Sequence, residues 1–394
     1  MYSLRDLGIH FDMAKAMTNP SAKGFNHFRT VTEQDQSLRP KIVSAAQDQR
    51  SSPKEKELLL RILHSYEKQD SQQPLTPEDF VLSPHEIAEL NTLEPSEVGK
   101  YLCYRYSYNI FPLLHVTADY PPCIQIELSS VCNYRCTMCF QVDPSFSHRN
   151  HGHMGLMTLD MYKNIIDQIE GNIEGVTLAS RGEPTLNKAF IQMIEYSADK
   201  FLGFKINTNA SQLTEDKCHA ILGNMNRGTI VFSLETTDPD TYKKIRVNGT
   251  LGNVLHNVKR FKEIRDECYP NSHIITRVSG VQMPLTSSIE DMESYWTPYV
   301  DQVSFVPCAP WTSLYEGLQP NEVTAPCSDL WRRMFVWWDG KVNPCDYDYK
   351  SMLSAGDLET GSVSSLWNSE AYDNLRQRHM SKNRSTVTPT SPPI

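Results

Sequence analysis

The sequence predicts an α/β protein built as a partial (β/α)6, TIM-like barrel, with a helical extension before it and a small domain after it. From about residue 120, short apolar runs alternate with amphipathic stretches, the pattern of βα units around a parallel sheet. Six such units occupy about 190 residues, which suits a partial barrel better than a full eight-stranded one. Alternation alone also admits a doubly wound sheet. Residues 1–115 carry helical periodicity instead, and residues 313–380 carry hairpin and turn signals. The barrel is therefore expected over 116–312, and 381–394 is read as a disordered tail.

The 394-residue chain has Lys+Arg 38 against Asp+Glu 47, and its net charge of −9 argues against a nucleic-acid partner. No apolar run reaches the roughly 18 residues of a membrane span, and MYSLRDLGIHFD lacks the apolar centre of a signal peptide. A cytoplasmic protein without a membrane partner is expected. In that compartment ten cysteines favour metal ligation and scattered buried thiols over disulfides.

Residues 1 to about 50 are polar and are read as loosely ordered. KEKELLLRILHSYEKQ places Leu58, Leu59, Ile62 and Leu63 at helical spacing, and SQQPLT ends that helix. SPHEIAELNTL starts another at Ser83, an N-cap residue, and a third spans 96–114 with a stripe of Tyr101, Tyr104, Tyr106 and Tyr108 read as packing. Strands are expected at 124–128, 175–178, 203–206, 229–232, 274–278 and 302–305. Between them lie helical stretches such as LDMYKNIIDQIE and LGNVLHNVKRFKEIRDE.

The first strand leads into IELSSVCNYRCTMCFQ, where Cys132, Cys136 and Cys139 stand in a C-x3-C-x2-C spacing. Three soft thiolates this close suit iron–sulfur or zinc coordination. Three ligands leave one iron of a four-iron cluster without a protein donor, able to bind a small molecule through nitrogen and oxygen. The competing assignment is a non-catalytic scaffold. In it the same thiols hold a redox cluster, or zinc with His148, His151 or His153 as fourth ligand.

The cysteine spacing, with Met138 just before the third thiol, resembles the radical S-adenosylmethionine (radical SAM) superfamily. The resemblance implies the partial barrel, a 4Fe–4S cluster on the three cysteines, and S-adenosyl-L-methionine on the open iron beside Met138. Reductive cleavage would then give a 5′-deoxyadenosyl radical that abstracts hydrogen from a substrate. Behind the second strand, Ser180-Arg181-Gly182-Glu183-Pro184 resembles the family's GGEP segment with arginine in place of its first glycine. The likeness gives Gly182 and Glu183 a contact to the methionyl amine. Thr208 and Asn209 resemble the family's turn near the ribose, and Ser233 and Glu235 its S-L/V-D/E segment. In YKKIRVNGT, Arg246 matches the arginine that pairs with the cofactor carboxylate, as a planar guanidinium can. Tyr242 and Lys243 are read as helix-surface residues.

Cys327, Gly340 and Cys345 resemble the opening of the SPASM or twitch auxiliary-cluster domain. DGKVNPC reads as a hairpin, with Asp339-Gly340 suited to a tight primed turn. Cys327 and Cys345 would be the auxiliary ligands of a second iron–sulfur cluster, yet no cysteine follows Cys345. The expectation is one stable cluster and an auxiliary site that is absent or incompletely ligated, or a C-terminus altered or cut short. Cys308 is read as a buried thiol, a substrate-side thiol or an auxiliary ligand, and Cys103, Cys123, Cys218 and Cys268 as structural. The resemblance implies an oxidoreductase-like enzyme that modifies a peptide or oxidises an alcohol or sugar. Its partners would be a small-molecule or peptide substrate and an electron donor such as flavodoxin or ferredoxin.

Overall fold

All six strands expected between residues 120 and 310 form, and they lie side by side in one sheet. The computed structural model describes residues 27–30, 38–48, 51–308, 315 and 324–382. Its strands are β1 (His27–Thr30), β2 (Cys123–Ile126), β3 (Arg135–Cys136), β4 (Gly175–Leu178), β5 (Gly203–Thr208) and β6 (Arg227–Ser233). They continue as β7 (Arg246–Val247), β8 (His273–Gln282), β9 (Gln302–Pro307), β10 (Arg333–Val336), β11 (Lys341–Asn343) and β12 (Gly356–Asp357). The main sheet runs β1-β9-β8-β6-β5-β4-β2-β10-β11-β12, parallel from β9 to β10 and open at both edges, so it is a partial barrel and not a closed one. The sheet is curved rather than doubly wound, since residues of β2, β4, β5, β6, β8, β9 and β10 line one cavity on its concave face.

Period-two alternation makes that face polar. On β5, Phe204 and Ile206 join the apolar core, while Lys205 and Asn207 line the cavity. The convex face is covered by helices such as Leu159–Ile169, Phe190–Ser197 and Leu251–Cys268, which bury Ile165, Ile166, Met193, Val258 and Phe261. No helix among the described residues is long and apolar enough to cross a membrane.

The N-terminal helices form their own apolar cluster around Leu59, Ile62, Tyr66, Tyr101, Leu102 and Tyr106. A capping box starts Pro53–Asp70, with Glu55 N donating to Ser52 Oγ and Ser52 N donating to Glu55 Oε2 at 2.7 Å. The helix Val98–Leu114 packs through Tyr104 against the N-terminal starts of β4 and β5. A Cβ on Gly175 or Gly203 would stand 2.5 or 2.8 Å from the Tyr104 ring, so these glycines leave room for that ring. Two corrections concern the first 50 residues, expected to be loosely ordered. The helix Leu38–Gln47 buries Ile42 and Ala45, and β1 pairs antiparallel with β9. Neither has a strong periodic signal. The tail from 383 lies outside the described residues.

The expected hairpin forms between β10 and β11, but its turn differs from expectation. Gly340 takes φ +85° and Asp339 does not take a positive φ, which rules out the tight primed turn. Instead Gly340 N donates to Trp337 O and Trp337 N to Lys341 O, a three-residue loop with a glycine bulge. β10 also runs parallel to β2, with Arg333 opposite Cys123, so the hairpin extends the sheet.

The fit of Tyr104 against the strand starts predicts a coupled effect. Gly175→Ala should destabilise the protein by about 1–3 kcal/mol through overpacking. Tyr104→Leu should recover most of that loss when combined with it, because the clashing ring is gone. Urea unfolding of the two single variants and the double variant checks this, and additive losses would contradict it.

Candidate active site

The three cysteines sit on a loop clipped to its neighbours by backbone bonds. β3 pairs antiparallel with β7, setting Cys136 opposite Arg246, and Thr137 N donates to Ile245 O at 2.9 Å. Cys139 N donates to Cys136 O at 2.9 Å, a tight turn that brings those two residues together. The thiols of Cys132, Cys136 and Cys139 feel one another's charge, so all three face one space. Burial pushes each of them up, Cys139 to about 12. Several donors approach the sulfurs. Arg246 Nη1 lies 3.7 Å from Cys136 Sγ, Tyr134 N 3.5 Å from Cys132 Sγ, and Asn209 Nδ2 4.0 Å from the same sulfur. Donors around thiolates lower the cost of their negative charge, so this donor set suits an anionic iron–sulfur group.

Behind β4, Gly182 presses against the cysteine loop. A Cβ there would stand 2.4 Å from Ser129 O and 2.5 Å from Val131 O, so only glycine fits. Glu183 N donates to Val131 O at 3.0 Å. The Glu183 carboxylate accepts from Thr185 N and Oγ1, Thr208 Oγ1 and Asn209 N at 2.5–3.1 Å. Burial pushes its pKa up against the pull of those donors. Glu183 thus ties the β4 and β5 loops together. Thr208 is buried in that tie, and Asn209 bonds Asn133 and Ser211 in a polar ring beside Cys132.

Sequence reasoning left the role of Arg181 open, and the structure supplies one. Its backbone N, Nε and Nη2 all donate to the Glu127 carboxylate, Nη1 donates to Tyr349 O at 2.8 Å, and its guanidinium lies 4.3 Å from the centre of the Trp337 ring. Both charged groups are buried. A carboxylate directly after the apolar run of β2 was the one available signal.

Arg246 grips Glu235 through Nε at 2.7 Å and through Nη2, both buried. This joins two residues expected to approach the cofactor separately. Ser233, Glu235 and Arg246 all line the cavity under the cysteine loop. Met138 is buried in the central core, 7% exposed. Lys243 is exposed as expected, but Tyr242 is not. It is fully buried, because its helix turns that side toward the cysteine loop, where its hydroxyl affects Tyr134.

Cys345 is half-buried, and Cys327 is first among its charged neighbours, ahead of Asp346 and Asp348. His379 Nδ1 accepts from Cys327 N at 3.1 Å. Two thiols are fewer than a four-iron cluster takes, so they would need further donors. Cys308 is buried, which raises it to about 11 with a smaller push from the Glu235 carboxylate. His148 and His151 are exposed with ring centres 5.7 Å apart, and His153 stacks on Phe146.

An open parallel barrel with three thiols, a glycine-cradled loop and a buried Arg–Glu pair at its mouth defines a cofactor-dependent α/β enzyme. Residues 126–280 match the Radical SAM superfamily, and residues 327–388 match SPASM, an iron–sulfur cluster-binding domain. The two matches identify a radical SAM domain over residues 126–280, which holds the cysteine loop, followed by a SPASM domain over residues 327–388. The chain is 30% identical over 96 residues to the S-adenosylmethionine-dependent nucleotide dehydratase of Selenomonas ruminantium, covering 24% of this chain and 32% of that protein, so it spans about a third of that relative's length. It is 24% identical over 300 residues to the tungsten-containing aldehyde ferredoxin oxidoreductase cofactor-modifying protein of Pyrococcus furiosus, covering 63% of this chain and 81% of that protein. Streptococcus suis SuiB bound to precursor peptide SuiA shares the fold over 88% of this chain and 84% of that one, at 14% identity and a TM-score of 0.50.

The Arg181–Glu127 pair yields the next prediction. Arg181→Ala should destabilise the protein by about 3–5 kcal/mol, because it strands a buried carboxylate. Arg181→Ala combined with Glu127→Gln should be more stable than Arg181→Ala alone. Chemical unfolding of the apoprotein would show the order, and a double variant weaker than the single would contradict the pairing.

Proposed function

We propose that Cys132, Cys136 and Cys139 hold the 4Fe–4S cluster, and that Met138, Gly182, Glu183, Thr208, Asn209, Ser233, Glu235 and Arg246 shape the adjoining S-adenosylmethionine pocket. The single observation that carries this reading is the pairing of Cys136 with Arg246 across β3 and β7, which sets the Arg246–Glu235 pair at both the thiols and the cavity mouth. When bound, the cluster and S-adenosylmethionine supply an electron and a 5′-deoxyadenosyl radical that takes hydrogen from the substrate. The chain's own residues orient and enclose. Arg246 offers a cation to a carboxylate, Gly182 lets the backbone come close, and Glu183 holds the two loops in register through its own donors. The substrate lies in the cavity below, and the outcome is modification of a peptide or oxidation of an alcohol or sugar. An external one-electron donor such as flavodoxin or ferredoxin completes the cycle.

The test is anaerobic reconstitution followed by dithionite. Wild type should bind about four irons at this site and release 5′-deoxyadenosine. Alanine at Cys132, Cys136 or Cys139 should abolish that product while circular dichroism stays nearly unchanged. Persistence of 5′-deoxyadenosine in any of the three would overturn the ligand assignment. A triple-alanine variant reports on Cys327 and Cys345 alone, and it should show no reducible four-iron signal by electron paramagnetic resonance. Arg246→Ala should weaken S-adenosylmethionine binding about tenfold to a hundredfold, the usual loss of one charged partner. Isothermal titration measures it, and wild-type affinity would remove Arg246 from the pocket.

A further inference from the structure

The cavity under the Arg246–Glu235 pair runs down the concave face of the sheet to Tyr104 and Tyr108, with a volume of about 750 Å³. Six of its lining side chains are cationic (Arg105, Lys205, Arg246, Arg277, Arg332 and Arg333), against the three carboxylates Asp79, Glu89 and Glu235. Most of these charges are met nearby. Arg246 pairs with Glu235, Arg105 with Glu86, Arg332 with Asp329, and Asp79 with Lys68. Glu89 accepts the Tyr101 hydroxyl at 2.7 Å. Arg333 bonds the neutral groups of Gln125 and Tyr108, and Arg277 donates Nε to the neutral Gln302 amide at 2.8 Å.

Lys205 differs from all of these. It makes no hydrogen bond or ion pair with any described residue, and Arg333 and Arg277 act on it more strongly than the Cys123 thiol or the Glu89 carboxylate does. Burial and those two guanidiniums bring its ammonium down to about 8. An enclosed cation facing other cations is unfavourable for the fold alone and becomes favourable once an anion sits among them. The register shows how such an anion would lie. Lys205 is level with Thr177 and Thr229, and Arg277 is level with Asn207 and Val231. Both side chains reach the same cavity from strands separated by β6. Lys205 is three residues, about 10 Å, below Thr208 at the upper end of β5.

We propose that this cavity is the substrate pocket and that it takes a small molecule bearing a carboxylate or phosphate, held by Lys205 and Arg277 with its reacting carbon uppermost. This rests on the radical reading above. The ammonium supplies a point charge and the guanidinium a planar fork, a pairing suited to either acid. The reacting carbon lies about 10 Å from the acid group, level with Ser233.

The experiment is thermal unfolding of the reconstituted protein in chloride, acetate and inorganic phosphate at matched ionic strength. Wild type should gain a few degrees in acetate or phosphate, and the more effective anion names the acid. Lys205→Met should melt above wild type in chloride and lose the anion response, and Arg277→Gln should reduce that response. An equal anion response in wild type and Lys205→Met, or no response in wild type, would overturn the proposal. Formation of 5′-deoxyadenosine is read on the same wild-type preparation. Cofactor cleavage without an anion response removes the pocket assignment alone, whereas no cleavage removes the reading beneath it.

Discussion

The Glu127 carboxylate, at the end of β2, holds together the segments on which the site depends. Its oxygens accept from Arg181 N, Nε and Nη2 and from Trp338 N, while Arg181 reaches on to Tyr349 O. Water is excluded from both charges, so the net gain in stability is small beside the cost of separating them. The pair's effect is positional. The β4 loop, the β10–β11 hairpin and the end of β2 satisfy these charges only when all three are in place. Gln141 then bonds Ser130 O and Arg181 O, and Glu183 N bonds Val131 O, so the cysteine loop inherits its position from the ion pair.

The parts of this arrangement that were legible in sequence are local ones. The six strands showed as short apolar runs, although β8 reaches Gln282, beyond the expected end at 278, because Ser279 and Gln282 break the apolar pattern. The thiol spacing was legible because ligands within one loop leave their spacing in the chain. Contacts between distant residues left no such trace. Nothing in YKKIRVNGT says that Arg246 grips Glu235, or that Tyr242 faces inward. The two-residue ladder of β3 and β7 is too short for any periodic signal. The hairpin was visible, but its docking beside β2 depends on Arg333 meeting Gln125 and Tyr108 across the fold.

The N-terminal helices also gain a role that composition did not suggest. By packing on Gly175 and Gly203, Tyr104 narrows the end of the barrel opposite the thiols. Arg227 and Glu97 add a two-pronged ion pair, with both contacts at 2.6 Å, between β6 and the start of that helix. The cavity is lined on that side by Leu75, Thr76 and Pro77 as well as by Tyr104 and Tyr108, so the N-terminal extension forms part of its wall.

The parallel pairing of β10 with β2 bears on how this polypeptide comes together as it leaves the ribosome. Glu127 and Trp338, joined in the finished protein, are 211 residues apart in sequence. The cysteine-bearing segment therefore emerges long before the strand that covers the flank of β2, and until then that flank is an exposed edge able to recruit other chains. Closing so distant a contact is slow relative to local helix formation. During synthesis the nascent site is open on its C-terminal side, so metal delivered early would meet thiols whose surroundings are not yet assembled. The flank of β2 is therefore covered by β10 only after the cysteine loop and the five strands β4, β5, β6, β8 and β9 have been made.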